Sequence, residues 1–579
     1  MKDLLYNRWL QRLIVVVHIM AVIGLIYDYG FALTQPIRIM IMTLYFFVLV
    51  MGLIYMALRY TYYPREFILS VFIFDLISVF FVVYCLYKQI SIGGFSEITH
   101  WIRLAIILKF LREFTRARLS YKRSFMNPAQ LFIISFVGLI VIGALLLMLP
   151  KATYQDISFI DALFTSTSAV CVTGLIAVDT SSYFTTFGQT IIMLLIQAGG
   201  LGILTFASYF GYFFKGGSTY ENQIALSDIS NSNKIGEVFI TLKRILGITF
   251  FIELIGASLI FISLDRKLMP SYFDRVFFSA FHSISAFCNA GFSTLKHGMM
   301  QEGFVNNYAL QLIIIVIFVF GGLGFPIVIN ILRYIKHFIR RYILFFISGK
   351  SSYKPWILTL SSKINLITTL LLILIGTLII YAKEYYNTLN VHHGIGKIIT
   401  ALFTATTPRT AGFNSIDFSQ LHFSSVIIII LLMWIGASPA STGGGIKTST
   451  FAIATLNFFS LAKGKDKIEI WRREIADISV KRAFATMTLS LVTIGFSIFF
   501  IAHFDPHIKL LDIAFECFSA YSTVGLSLGI TGDLSSESKI VLIIIMFIGR
   551  VTMLSILIAF FKKVKALNYQ YPTEEILIN

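Results

Sequence analysis

Cys171-Val172-Thr173-Gly174, Cys288-Asn289-Ala290-Gly291, Arg409-Thr410-Ala411-Gly412 and Ser522-Thr523-Val524-Gly525 are four short segments, each set between long apolar stretches and each ending in glycine. The glycines lie 117, 121 and 113 residues apart, so most of the chain reads as a fourfold internal repeat. Phe164, Phe281 and Phe515 precede their glycines by ten positions and Phe403 by nine, and Ala162-Leu163-Phe164-Thr165 is identical to Ala401-Leu402-Phe403-Thr404. Each repeat therefore predicts a short helix running towards its glycine, with its negative C-terminal end aimed at a common axis. Asp161 and Asp512 fall near the N-termini of two of these helices. Carbonyls exposed by glycine-containing loops hold a dehydrated cation without fixed charge, so four such loops imply one pore.

Composition points to a membrane: 57% of residues are hydrophobic, 13% are charged, and mean hydropathy is +0.82. The formal charge of +18 does not indicate a nucleic-acid partner, because the basic residues cluster just outside apolar runs rather than among aromatics in polar segments. The first apolar run, from Leu13 to about Tyr27, lacks a small-residue cleavage site and is expected to stay in place. Cys85, Cys171, Cys288 and Cys517 have no near neighbours that would make a metal site or a disulfide framework, and they read as free thiols.

Apolar runs predict four helices near 12–30, 37–58, 66–87 and 95–118. Eight more follow as pairs bracketing the glycine segments: 130–149 with 186–214, 245–264 with 307–332, 364–382 with 423–460, and 484–503 with 538–561. The fold class is an all-α polytopic membrane protein, with four helix, loop, helix repeats around one pore and about four extra helices before them. The corresponding divisions are 1–124, 125–215, 216–335, 336–465 and 466–579. Basic clusters at Lys2, Arg8 and Arg12, at Arg59 and Arg65, and at Arg116, Arg118, Lys122 and Arg123 belong on the cytoplasmic side. So do Lys234, Lys243 and Arg244, then Arg333, Lys336, Arg340 and Arg341, then residues 463–482, and finally Lys562, Lys563 and Lys565. Both termini are thus expected inside a cytoplasmic membrane, and the glycine segments enter from the outer face.

Two features interrupt the apolar pattern. The stretch Gly436-Ala-Ser438-Pro439-Ala-Ser441-Thr442-Gly443-Gly444-Gly445-Ile-Lys447-Thr448 cannot continue a helix, because Pro439 removes a donor and three successive glycines favour irregular backbone. At membrane depth such backbone must be buried in protein or line water. A simple helix kink is the plainer alternative. Arg550 stands near the middle of the last apolar run, where an unpaired charge costs on the order of 3 kcal/mol. Such a charge needs a reason, and a structural ion pair with Glu253, itself in the apolar run 249–261, is the plainer one.

This pattern resembles the Trk/Ktr/HKT superfamily of potassium transport subunits, over roughly residues 125–579. The resemblance implies a selectivity filter of Cys171 to Gly174, Cys288 to Gly291, Arg409 to Gly412 and Ser522 to Gly525. Four glycines imply potassium permeation, whereas serine in the first repeat marks sodium-preferring plant relatives. Gly436, Pro439, Ser441, Thr442, Gly443, Gly444, Gly445 and Lys447 would belong to an intramembrane gating loop, and Arg550 would guard the pore beside it. The resemblance also implies a homodimer and a separate cytoplasmic ring of nucleotide-binding subunits docking on the cytoplasmic loops and tail. Potassium is then the substrate and no covalent cofactor is expected.

The first 120 residues or so exceed the four-repeat core. Arg103, Lys109, Arg112 and Arg118 share an every-third-residue register broken by Ile106 and Thr115, which resembles the fourth helix of voltage-sensor domains. Phe74-Asp75-Leu76-Ile77-Ser78 resembles their third, with Asp75 as counter-charge. The second helix contains no acidic residue. An assembly surface, a membrane anchor and a site for anionic lipid remain open beside voltage sensing.

Other readings fail on chemistry. Residues 443–448 have Ile446 where a phosphate-binding loop needs glycine, and Ser348-Gly349-Lys350-Ser351 has Leu344 where the first glycine belongs. His392 and His393 are adjacent, face differently on regular elements, and read as a loop end. No nucleophile and base pattern points to an enzyme. Sodium- or proton-coupled symport is the alternative to channel-like conduction, with Glu253 as the one nameable second site.

Overall fold

The computed structural model describes residues 8–62, several positions between 76 and 87, and residues 99–116, 128–215, 238–348 and 358–551. The described residues are mostly helical, with one two-stranded hairpin at Glu469–Ile470 and Arg473–Glu474. Three N-terminal helices, α1 (Arg8–Gly30), α2 (Gln35–Tyr62) and α3 (Thr99–Arg116), enclose a small core of Ala21, Tyr45, Val48 and Ala105. The predicted helix at 66–87 lies mostly outside the described residues, as do Asp75, Arg118 and the side chain of Arg112.

Four similar units follow. The first comprises α4 (Pro128–Leu147), α5 (Phe159–Val170) and α6 (Thr186–Lys215). The second comprises α7 (Val238–Ser263), α8 (Tyr272–Cys288), α9 (Tyr308–Leu323) and α10 (Phe325–Ser348). The third comprises α11 (Leu360–Glu384), α12 (Ile395–Thr406), α13 (Phe423–Trp434) and α14 (Thr448–Ala462). The fourth comprises α15 (Asp477–Phe504), α16 (Leu510–Tyr521) and α17 (Ser536–Val551). Among the described residues, four segments are long and apolar enough to cross a membrane: Gln35–Ile54, Lys243–Ser263, Leu360–Glu384 and Asp477–Phe504.

Two of the predicted spans are interrupted at glycines. The predicted span at 307–332 bends by 107° where Gly324 takes φ +83°. The predicted span at 186–214 is not a regular helix either, since Gly202 takes φ +50° and ψ −154°. Only a residue without a Cβ enters those conformations at low cost. The break expected at residues 436–448 falls between α13 and α14.

The four short helices α5, α8, α12 and α16 are the inner elements. Their shared phenylalanines Phe164, Phe281, Phe403 and Phe515 are fully buried. Sequence sets their starts: Ser158 and Ser271 accept from the backbone N–H of Asp161 and Asp274 at 3.1 and 3.3 Å. The third helix begins differently, at Gly394, and its Lys397 donates to the Tyr385 carbonyl at 2.9 Å. A Lys539–Asp161 ion pair of 2.8 Å ties the last unit to the first.

The N-terminal helices meet the first unit at one corner. Lys151 N–H donates to the Gly30 carbonyl at 3.0 Å, and Tyr29 stacks on Phe187 with ring centres 5.8 Å apart. Arg103 is held by a bidentate pair with Asp28, at 2.7 and 2.9 Å, and lies over the Tyr29 ring at 4.4 Å. Its carboxylate partner is therefore Asp28 on α1, while Asp75, the counter-charge expected from the sequence, lies outside the described residues. Lys109 is buried in the same three-helix core, with Nζ 3.6 Å from Met56 Sδ.

Candidate ion-conduction site

Each glycine segment begins where a short helix ends, which directs four negative helix termini at one region. The backbone repeats closely. Val172, Asn289, Thr410 and Thr523 take φ between +51° and +73°, and two residues later Gly174, Gly291, Gly412 and Gly525 take φ between +68° and +93°. Two left-handed residues separated by one that is not give each strand the same turn.

The four strands close into a ring. A Cβ added to Gly174 would strike the Ala290 carbonyl, and one on Gly291 would stand 2.9 Å from Gly412 Cα. One on Gly412 would strike the Val524 carbonyl, and one on Gly525 would stand 2.7 Å from Gly174 Cα. Each glycine thus sits against the neighbouring strand, with no room for any side chain. Carbonyls of Thr173, Ala290, Ala411 and Val524 crowd that same ring, an array of neutral oxygen ligands suited to a cation stripped of water.

Hydroxyls on the short helices hold the strands from behind. Ser168 accepts from Gly174 N–H at 3.0 Å and donates to the Leu175 carbonyl at 2.7 Å. Ser285 donates to Phe292 O at 2.8 Å, Thr407 to Phe413 O at 2.7 Å, and Ser519 accepts from Gly525 N–H at 3.1 Å. Sequence reasoning passed over these residues. The signal was a hydroxyl six positions before each glycine, or five in the third repeat, which is one residue shorter there and so also places Phe403 at nine. Cross-strand contact is direct as well: with its nitrogen towards the Ala286 and Phe318 carbonyls, the Asn289 amide accepts from Thr410 Oγ1 at 3.1 Å.

The side chain of Arg409 leaves the ring. It is buried against α11 and the irregular loop, with Nη1 and Nη2 3.4 Å from Thr369 O and Oγ1 and Nη2 3.4 Å from Gly436 O. Its backbone alone belongs to the strand. Cys171, Cys288 and Cys517 are buried free thiols, and Cys85 lies outside the described residues.

Residues 435–447 form an ordered loop packed on the ring. Gly436 N–H donates to Ile446 O at 2.9 Å, pinching the loop's two ends together, and Ser438 N–H donates to Gly322 O at 2.9 Å. Its glycines are required by approach: a Cβ on Gly443 would strike the Thr410 side chain, and one on Gly444 the Thr523 side chain. Lys447 turns back to donate to the Gly443 carbonyl at 2.6 Å, and Thr442 Oγ1 donates to Phe287 O at 3.2 Å. Ser441 Oγ makes no protein hydrogen bond, and Pro439 and Gly445 complete the turn, the latter at φ +68°.

Arg550 connects this loop to the first repeat. Its Nη1 donates to Thr442 O and its Nη2 to Gly199 O at 2.6 Å. Glu253, the proposed partner, is elsewhere: it accepts from Gln197 Nε2 at 3.1 Å, and its backbone carbonyl accepts from Ser283. Carbonyl oxygens, rather than a carboxylate, receive the guanidinium. The helices that carry these groups approach through glycine, since Gly199, Gly321 and Gly549 press against the carbonyls of Val170, Phe287 and Tyr521, each four residues before a ring glycine.

A family model described as TrkH, a cation transport protein, matches residues 95–570. The chain belongs to the TrkH family. It is similar to the Ktr system potassium uptake protein B of Bacillus subtilis, with 38% identity over 454 residues covering 78% of this chain and 96% of that one. It is also similar to the potassium/sodium uptake protein NtpJ of Enterococcus hirae, with 34% identity covering 79% and 98%. The crystal structure of the potassium transporter TrkH from Vibrio parahaemolyticus shares the fold, with a TM-score of 0.59 at 18% identity, covering 85% of this chain and 97% of that one. This TrkH-family chain is accordingly a multi-pass membrane protein of cation transport, and the first 94 residues precede the matched region.

Proposed function

We propose that this protein takes up potassium across the cytoplasmic membrane through the ring of four glycine strands. The observation that carries the reading is the closure of that ring: Gly174, Gly291, Gly412 and Gly525 each abut the next strand's backbone in sequence order, and the fourth returns to the first. The similarity to named potassium uptake proteins supports the choice of ion. Residues 435–447 act as the gate beneath the ring and Arg550 latches it, because the guanidinium bonds the loop and the first repeat at once. Conduction is channel-like in this account.

The resemblance further supports a homodimer regulated by a cytoplasmic nucleotide-binding ring. The N-terminal helices act as a voltage-sensor-like unit leaning on the first repeat, a reading supported by the Arg103–Asp28 pair and the Tyr29–Phe187 stack. The test is growth of a bacterial strain lacking its own potassium uptake systems at limiting potassium. Expression should restore growth, and substitution of the ring glycines should abolish the rescue at equal protein levels.

A further inference from the structure

Aligning the repeats on their phenylalanines puts Thr165, His282, Thr404 and Glu516 at one position, directly after Phe164, Phe281, Phe403 and Phe515. The residues alternate in kind, and so do their bonds. Thr165 and Thr404 turn back on their own helices, donating to Asp161 O and Thr400 O at 2.8 Å each. His282 and Glu516 reach outward instead, to the serine two residues past the ring glycine. His282 Nε2 lies 2.9 Å from Ser293 Oγ, and Glu516 Oε1 accepts from Ser527 Oγ at 3.0 Å.

The two clamps match in detail. Ser293 and Ser527 each also accept from the backbone N–H two residues on, Leu295 at 3.1 Å and Gly529 at 2.9 Å. His282 Nδ1 lies 2.9 Å from the Phe278 carbonyl, which can only accept, so Nδ1 carries the proton and Nε2 of the neutral ring accepts from Ser293. Both clamp residues are fully buried behind the strands, and Thr531 Oγ1 donates as well to Glu516. The first and third repeats have Ile176 and Asn414 at the position of the two serines.

We infer that His282 and Glu516 are positioning residues that fix the outer ends of the second and fourth strands and thereby set discrimination between potassium and sodium. This rests on the reading of the ring as the conduction filter. Discrimination depends on where the carbonyls stand and how far they yield. Hydroxyls brace all four strands next to the glycine, and Met299 N–H also holds the Asn414 carbonyl of the third at 3.0 Å, but among the described residues a buried short-helix side chain clamps the residue two past the glycine only in the second and fourth repeats. In this clamp the fourfold ring is therefore twofold, with two strands tied to a buried His or Glu facing two whose matching threonines bond their own helices.

The experiment measures the potassium to sodium permeability ratio from reversal potentials, using the full chain purified into liposomes. Glu516→Leu should lower the ratio about tenfold, the scale of one lost hydrogen bond to a charged group. Ser527→Ala should lower it similarly, and the two together should add little because they remove one contact. Glu516→Gln keeps a carbonyl acceptor towards Ser527 and should restore most of the ratio, which a loss of fold would not do. Ser293→Ala should act as Ser527→Ala does, and it decides the matter if the leucine variant does not fold. Wild-type ratios in Ser293→Ala and Ser527→Ala, with Gly525→Ala lowering the ratio, would overturn the clamp and leave the filter standing. An unchanged ratio in Gly525→Ala would overturn the filter reading and the clamp with it.

Discussion

Arg550 donates to the Gly199 carbonyl across 2.6 Å, joining the last helix of the fourth repeat to the second long helix of the first. The other arm of the same guanidinium holds Thr442 of the irregular loop. A buried arginine that bonds carbonyls from two different repeats fixes their relative position, and any movement of the loop must break a charge-assisted bond worth about 1.5–3 kcal/mol.

Arg550→Ala should therefore raise potassium flux if residues 435–447 gate the proposed pore, because it releases the loop and removes a positive charge beside it. Flux per reconstituted protein is the measurement. A fall in flux at normal protein levels would mean that the guanidinium is a structural clamp instead.

Gly174→Ser should reduce potassium selectivity over sodium. At φ +93° a side chain is strained whatever the space, and here the new Cβ meets the Ala290 carbonyl, so the ring must open. Reversal potentials under paired potassium and sodium gradients read the effect, and unchanged relative permeabilities would count against the ring as filter.

Asp28→Asn should destabilise the N-terminal helices by about 3–5 kcal/mol, since it leaves the largely buried Arg103 without its carboxylate. Thermal unfolding of the detergent-solubilised protein tests this. The same variant should shift any potential dependence of flux, and Asp28→Glu should recover both stability and shift.

Asp505 gives a pH dependence of definite sign. Burial raises its carboxyl, but the two hydrogen bonds from Ser535, with Ser538 and His507 close by, outweigh burial and hold it below the usual aspartate value. The Ser535 contacts are 3.1 Å from N–H and 2.8 Å from Oγ. A depressed folded pKa means stability that is fully present above the unfolded value near pH 4 and lost as pH falls through the folded one. Asp505→Asn should flatten the acid limb of a melting-temperature profile, and an unaltered limb would show that other carboxylates dominate it.

Much of the site was legible because its chemistry is local. Glycine at a fixed period, a helix-breaking run around Pro439 and an arginine in an apolar span are visible without knowing what they touch. Partners across the repeats were not legible. Glu253 was the counter-charge the sequence could name for Arg550, yet the guanidinium meets the carbonyls of Thr442 and Gly199. Asp28 is 75 residues from Arg103, so only packing reveals the pair. Helix continuity at residues 186–214 and 307–332 was misread because hydropathy does not register a positive φ at Gly202 or Gly324. His282 and Glu516 drew no notice because a repeat is easiest to see where its members agree, and these two differ from the threonines they replace.

The central claim, a potassium-selective pore closed by four glycine strands, is tested most directly by potassium, rubidium and sodium flux through the purified protein in liposomes at clamped potential. Downhill flux of potassium and rubidium well above sodium, without a second driving ion, is expected, with that selectivity collapsing in Gly174→Ser. Flux that appears only when a sodium or proton gradient is supplied, or that admits sodium as readily as potassium, would contradict it.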